Sequence, residues 1–392
     1  MKQKRIRLSV ITDKFFPLNT ASAIRIKALR DAWAASGYFD ITVFTATVIE
    51  NNEDVKYVKS FFLAPSNKSN KVFRLWFEFL LGAEYFFRLL FHRTDLVFIS
   101  SPPFVVAVLS SFATRIRKIP YIFDVRDLYP EVYFSANILN RNSVISRAII
   151  HLEKSVYQHS FFVTTVTKGL QKHIQEKCGE MEHVYLVRNG YIEKLIDNVS
   201  TDTKNEKFTV IFHGNLGTFQ DVDLILRLAQ KCVDESRDIE FVIIGEGSKD
   251  YILQKTTIPN VTYLSRLGIE QVYNKISKAH VGISFRTDNF ISCQSFPVKL
   301  YEYIGIGLPM IITPKCEAGE LIEQYQIGYQ FAPFDLELIY SKIVELSENQ
   351  LSMNKLLENI SSIRHRFSRE KIAEHFTQLL IYDLKHQHMI KN

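Results

Sequence analysis

The chain is 392 residues long, with 46% hydrophobic, 13% aromatic and 23% charged residues and a formal net charge of +6. This balance describes a globular protein, excludes disordered and fibrous classes, and at roughly 100–200 residues per domain points to two domains. No run of about 18 uncharged apolar residues occurs, so no spanning helix is predicted, and the apolar run Leu8 to Ile11 meets Asp13 and Lys14 too soon for a cleaved signal.

In chain order, short apolar, β-branched runs predict strands at Ile6–Thr12, Ile41–Ala46, Leu96–Ser100, Tyr121–Phe123, Phe161–Thr165 and Val184–Val187. A second series follows at Phe208–Phe212, Phe241–Ile244, Val261–Leu264, Val281–Phe285 and Met310–Thr313. Runs without in/out alternation fit strands buried on both faces of parallel sheets. Helical patterns lie between them. Ala23–Ser36 has Thr20 and Ser22 before it and Gly37 after it, and Asp221–Lys231 and Glu270–Lys278 are similar. Two such series predict an α/β chain of two doubly wound, Rossmann-like domains with parallel sheets. Turn residues Arg188-Asn189-Gly190 and the polar stretch Asn198–Lys207 place the division as 1–190, a linker 191–206, and 207–366. The tail 367–392 carries a helical pattern from Phe367 to Leu384 that packs on either domain.

Charge is uneven. Residues 1–200 hold 27 Lys+Arg against 18 Asp+Glu, a net +9, and residues 201–392 hold 21 against 24, a net −3. A basic half fits an anionic partner such as a membrane surface, phosphorylated lipid or nucleic acid, though charge alone favours the plainer account, a solvated surface that keeps the protein soluble. The four cysteines are widely spaced without a C-x-x-C pair, which suggests reduced thiols in the cytosol and no zinc site. The segment Val72–Phe91 reads two ways. It is an interfacial helix with Trp76 and phenylalanines at the acyl boundary and Lys68, Lys71, Arg74 and Arg88 near headgroups, or a buried helix of the first domain. Glu78, Glu84 and Arg88 argue against a simple span.

Ligands of open α/β sheets bind beyond the carboxyl ends of the strands, so the loops there are the places to seek chemistry. Asp13–Ala23, after the first strand, has small residues but no G-x-G-x-x-G, which speaks against a dinucleotide. Asp124-Val125-Arg126-Asp127-Leu128-Tyr129-Pro130-Glu131 puts four charges after a strand, where a carboxylate can accept a proton and an Arg can pair with it or with a phosphate. A structural Asp–Arg pair is the plainer account. His213-Gly214-Asn215-Leu216-Gly217 permits close backbone approach to a ligand, and His213 alone is an ordinary structural histidine. Lys299 and Glu302 share a helical face, as a surface ion pair or as groups for a diphosphate and a ribose. The helix opened by Cys316-Glu317-Ala318-Gly319-Glu320-Leu321 offers free amides to a diphosphate.

These motifs resemble the retaining glycosyltransferases of family 4, of GT-B fold, nearest the bacterial fucosyl- and N-acetylfucosaminyltransferase-like branch of surface-polysaccharide enzymes. The markers, spread over nearly the whole chain, are Ser101-Pro102-Pro103, Asp124 to Glu131, Asn189-Gly190, Gly214-Asn215-Leu216-Gly217, Ile243-Ile244-Gly245-Glu246-Gly247, Pro297-Val298-Lys299-Leu300-Tyr301-Glu302-Tyr303 and Gly319-Glu320-Leu321-Ile322. The resemblance implies two domains facing a central cleft, the first binding the acceptor and the second a nucleotide-sugar, and a final helix that crosses back to the first. It implies a donor site of Gly214, Asn215, Gly217, Gly245, Arg266, Arg286, Gln294, Lys299, Glu302, Gly319, Glu320 and Leu321. Glu302 would hold the ribose, and Lys299 with the amides near Gly319 the diphosphate. The acceptor side would include Ser22, Arg25, Asp124 and Glu131, with Asp127, Arg126, Lys299 and Glu302 in the chemistry.

Two departures stand out. Gln294 occupies a position where many relatives carry Glu. Asn215 and Gln220 stand where many carry an Arg and a Lys, leaving Lys299 and then Arg286 to stabilise the leaving group. The expectation is a retaining transferase moving a sugar from a UDP- or GDP-linked donor to a polyprenyl-diphosphate-linked saccharide in capsule, O-antigen or exopolysaccharide synthesis. It would need no metal and no cofactor, bind no nucleic acid, and work in the cytoplasm at the inner face of the membrane. The alternatives are a GT-B nucleotide-sugar 2-epimerase and a non-catalytic GT-B subunit.

Overall fold

The structure, a computed structural model, describes residues 5–18, 20–47, 56–62, 71–135, 139–179, 181, 183–197, 199, 203–387 and 389. Of the predicted linker, residues 198 and 200–202 therefore lie outside the described residues, as does Lys68. The chain divides into two compact units, Met1–Arg188 together with Ile372–Asn392, and Asn189–Lys371.

The first unit is a seven-stranded sheet of β1 (Ile6–Ile11), β2 (Phe39–Thr45), β3 (Lys56–Lys59), β4 (Leu96–Ser101), β5 (Tyr121–Val125), β6 (Phe162–Thr165) and β7 (Val184–Leu186), in the order β3-β2-β1-β4-β5-β6-β7. Every neighbouring pair is parallel. The central strands β4 and β5 are buried throughout, which is why they read as unbroken apolar runs. Helix Ala21–Ser36 starts where Thr20 accepts a hydrogen bond from the Ala23 amide and stops at Gly37, whose φ of +75° ends it in the left-handed region. Its Trp33 packs with Phe98, Phe376, Leu380 and Leu384, so the final helix Arg369–His386 completes one face of this sheet. Helices Lys71–Phe91, Phe104–Ile116 and Val144–Gln158 cover the other face.

The second unit is a six-stranded parallel sheet of β8 (Phe208–His213), β9 (Ile239–Ile244), β10 (Val261–Leu264), β11 (Val281–Phe285), β12 (Met310–Thr313) and β13 (Gly328–Gln330), in the order β10-β9-β8-β11-β12-β13. Helix Val222–Asp234 begins at Asp221, whose carboxylate accepts from the Leu224 amide at 3.0 Å. The segments that leave and re-enter this unit pair with each other. The Tyr191 amide donates to Phe367 O at 3.0 Å and the Arg369 amide to Tyr191 O at 2.8 Å.

Strands β3 and β13 were not among the predicted runs. Both lie at sheet edges, where one face of the ladder and part of each side chain stay in water, so neither needs an apolar run to persist. Among the described residues no helix is long and apolar enough to cross a membrane.

Candidate functional site

In the second sheet the chain order reverses between β8 and β11, and at such a switch point the loops diverge to leave a crevice. The residues that end these two strands are His213 and Phe285, and the helix Val298–Ile306 that follows β11 carries Lys299 and Glu302. Glu302 keeps 18% of its side chain exposed. Tyr273, from helix Ile269–Lys278, donates its hydroxyl to Glu302 Oε1 at 3.2 Å. His213 Nε2 stands 3.1 Å from Glu302 Oε2 without hydrogen-bond geometry to any partner among the described residues. Burial, with Lys299 nearby, pushes the imidazole down to about 3, so His213 is neutral beside the carboxylate. Burial also raises Glu302, against the Tyr273 hydrogen bond and the charges of Arg369 and Lys299.

Lys299 does not form the i, i+3 pair with Glu302 that its spacing allows. Its Nζ is buried with no hydrogen-bond partner among the described residues, and lies 3.5 Å from the centroid of the Phe212 ring. Burial drives this ammonium well below its ordinary pKa, and the like charge of Arg286 adds to the effect. Its placement in the first turn of a helix is also electrostatically unfavourable, because that end of the helix already carries positive potential. The charge of Glu302 offsets part of this cost, and an ammonium with no hydrogen-bond partner among the described residues is complementary to an added anion.

Arg286 follows β11. Its guanidinium donates to Ser295 Oγ and, at 3.4 Å, to Ser292 O, while Nε is buried without a partner among the described residues. Arg286 forms a backbone bridge to Gln220, and Lys249 Nζ reaches Gln220 O at 2.7 Å. One cation, Lys249, thus arrives from another loop at the position where the sequence places glutamine, and the backbone of Arg286 runs beside it. Gly214 and Gly245 bring two strand-end loops together. A Cβ on Gly245, whose φ is +146°, would stand 1.9 Å from Gly214 O, so only glycine permits this backbone contact. The Gly214 side of the loop lies against Lys299, whose Nζ would be 3.7 Å from a Cβ there.

Other expected donor residues are dispersed. Ser265 donates to Glu246 Oε1 at 2.9 Å beside the β9 end, and the neighbouring Arg266 is exposed. Asn215 is exposed, Gly217 is half-buried, and Gln294 closes the short helix Phe290–Gln294. At the helix Glu317–Gln324, Gln330 Oε1 accepts from the Cys316 amide at 3.1 Å and packs against Gly319. The first turn carries the acids Glu317 and Glu320, which temper its appeal to a diphosphate. Leu321 is 8% exposed and belongs to the apolar core, so its side chain faces no ligand. Tyr273 had no sequence signal, because its role comes from a helix remote in the chain. His213 had one, the polar end of an otherwise apolar strand.

In the first unit, the expected acceptor residues Asp124 and Arg25 bind each other and enclose themselves. Asp124 is 0% exposed and accepts from Arg25 Nη2 at 2.8 Å and Nε at 3.2 Å, from Thr164 at 2.7 Å and from Ser100 at 3.1 Å. Burial alone would raise it, yet Arg25 holds it below the ordinary carboxylate range. Arg25 also donates to Val187 O at 2.8 Å. Neither retains capacity for an acceptor, and the pair is a structural clasp. Glu131 is buried and paired with Arg141 at 3.2 Å, and Ser22 is buried against Thr20. Arg126 donates to Pro102 O at 2.8 Å, which ties the Ser101-Pro102-Pro103 turn to the loop after β5. Asp127, next to it, keeps exposed surface, and no hydrogen bond or ion pair engages its carboxylate among the described residues; desolvation by the surrounding protein raises its pKa against the charge of Arg126.

Comparison with known proteins bears on this geometry. Residues 194–363 match the family described as "Glycosyl transferases group 1". The chain is 20% identical over 274 residues to the probable glycosyltransferase WbjE of Pseudomonas aeruginosa, covering 66% of this chain and 68% of that protein. Among solved structures, HepE of Anabaena in complex with UDP superposes with a TM-score of 0.70 at 13% identity, covering 96% of this chain and 100% of the other. WaaG, a glycosyltransferase involved in lipopolysaccharide biosynthesis, gives 0.69 at 14% identity over 95% and 99%. A putative UDP-N-acetylglucosamine 2-epimerase from Listeria monocytogenes gives 0.61 at 14% identity over 98% of each. The chain is therefore built of two Rossmann-like units of the GT-B kind, and residues 194–363, within its second unit, are similar to the group 1 glycosyl transferases.

Proposed function

We propose that the protein is a glycosyltransferase that takes a sugar from a nucleotide diphosphate donor and passes it, with retention, to a saccharide on a polyprenyl-diphosphate carrier in surface-polysaccharide synthesis. One observation carries the donor half of this reading. A buried ammonium, Lys299, with no hydrogen-bond partner among the described residues, lies on the same helix as a carboxylate, Glu302, at the switch point of the sheet. An ammonium with no hydrogen-bond partner among the described residues suits the diphosphate, with Arg286 beside it, and a carboxylate with exposed surface suits the two ribose hydroxyls. In the reaction the bond between the sugar's anomeric carbon and the phosphate oxygen breaks as the bond to the acceptor oxygen forms. The electron pair leaves with the diphosphate, where Lys299 and Arg286 offset the growing charge. The acceptor proton passes to a phosphate oxygen. Asp127, whose carboxylate makes no hydrogen bond or ion pair among the described residues, is the acceptor-side group of this reading.

The name of WbjE and the lipopolysaccharide role of WaaG support the choice of a saccharide acceptor. The GT-B fold also serves epimerisation, so fold alone does not choose between the reactions. The test is calorimetry with UDP and GDP, followed by a labelled donor panel with bacterial membrane extract. Labelled lipid supports transfer. Conversion of donor without extract makes the protein an epimerase, and absence of nucleotide binding makes it a non-catalytic subunit.

A further inference from the structure

The helix Lys71–Phe91 is neither wholly buried nor ordinarily amphipathic. Its inner face holds Leu81, Tyr85 and Leu89 in the core of the first unit. Gly82 lets it lie close on helix Phe104–Ile116, since a Cβ there would meet Leu109 Cδ1 at 2.8 Å. The opposite face is also apolar. Phe73 is 55% exposed, Trp76 58%, Phe87 61% and Phe91 85%, and their spacing of three, eleven and four residues keeps them on one side of the helix.

The acids that argue against a simple span do not oppose an interfacial position. Glu78 turns inward, 2% exposed, and pairs with Arg74 at 3.0 Å. Glu84 is engaged by Arg88 at 2.7 Å and by the Phe61 amide at 2.9 Å, so its charge is compensated. Arg88 in turn lies 4.7 Å from the ring of Phe61, itself 84% exposed. Exposed Lys59 and Arg93 flank this end, and a shallow hollow of about 470 Å³ opens there, lined by Phe44, Val58, Phe87, Arg88, Phe91 and His92.

From this stripe, its compensated acids and its basic rim we infer that the outer face of Lys71–Phe91 is an interfacial membrane anchor that rests on an anionic bilayer. Aromatic rings enter the acyl boundary while the cations remain among lipid phosphates. A second copy of the chain is the disfavoured occupant, because it would oppose two segments that each carry a net +9 over residues 1–200. The inference stands apart from the proposed activity and is tested without it.

The chain has two tryptophans, and Trp33 is 0% exposed, so Trp76 alone reports on this face. Vesicles of phosphatidylglycerol and phosphatidylcholine should shift the emission to the blue, brominated acyl chains should quench it, and both effects should weaken as salt rises. Trp76→Phe should abolish the shift yet leave sedimentation with vesicles largely intact. The pair Phe87→Glu and Phe91→Glu should weaken sedimentation at least tenfold with far-UV dichroism and UDP affinity unchanged. Unchanged emission and no sedimentation with anionic vesicles at low salt would overturn the inference. So would equal binding to pure phosphatidylcholine, or a shift that follows protein concentration without lipid, which would assign the stripe to a second copy.

Discussion

Replacement of Lys299 by methionine tests the donor site where its physics is least ordinary. The ammonium is buried with no hydrogen-bond partner among the described residues, and its contact with Phe212 returns only about 2 kcal/mol when desolvated. Methionine keeps the length of the stem and removes the charge. The unliganded protein should therefore gain about 1–3 kcal/mol, with the melting temperature of the second unit rising by about 2–4 °C per kcal/mol. Nucleotide diphosphate binding should move the opposite way. Loss of a charge-assisted hydrogen bond worth about 1.5–3 kcal/mol raises Kd by about 10- to 150-fold. UDP at 100 times the native Kd stabilises the parent by about 2.7 kcal/mol, and a thirtyfold weaker variant at the same concentration gains only about 0.9 kcal/mol.

The pH dependence adds a second sign. Folded Lys299 has its pKa far below that of the unfolded chain. Between the two values the unfolded state binds the extra proton, so unliganded stability rises with pH up to about 10.4. Lys299→Met should flatten that rise. Differential scanning fluorimetry with and without UDP, from pH 7 to 10, reads all three effects. A variant less stable than its parent, with unchanged UDP affinity, would refute the assignment and leave Lys299 a packing residue.

The other predictions follow from the same geometry. Glu302→Gln keeps the Tyr273 contact but loses the charged acceptor for ribose, so UDP affinity should fall about tenfold in calorimetry. Asp127→Asn should leave UDP affinity and melting temperature unchanged and lower turnover by about 10²-fold or more, and a turnover equal to the parent's rules it out of the chemistry. Asp124→Asn breaks a sealed ion pair and should cost about 3–5 kcal/mol in urea unfolding. A variant that stayed fully stable but slow would return Asp124 to the acceptor site. Glu153, 0% exposed beside Lys177 and Tyr157, is pushed up by burial to about 7. Its contribution to stability is therefore complete below about pH 4.5 and lost as pH rises through 7. The urea midpoint should fall between pH 5 and pH 8, and Glu153→Gln should remove that fall.

What was legible in the sequence was whatever depends on local pattern. Buried parallel strands such as β4, β5 and β11 must be apolar on both faces, so their runs identify them without knowledge of their neighbours. Thr20, Gly37 and Asp221 mark helix ends because capping needs only adjacent backbone. The same locality placed Lys299 and Glu302 on one face beside strand β11.

Pairing across the chain was decided by the tertiary structure. Four charges at the end of β5 and in the loop after it look alike in sequence, yet Asp124 meets Arg25, 99 residues away, and becomes structural, while Asp127 three positions on makes no hydrogen bond or ion pair among the described residues. Lys299 and Glu302 look like an ion pair, yet packing assigns one to Phe212 and the other to Tyr273 and His213. The aromatic helix carries acids that suggest solvation until Arg74 and Arg88 are seen to compensate them. Residue type sets what a charge can do, but its energy depends on burial and on the nearest opposite charge, and both are properties of the folded neighbourhood.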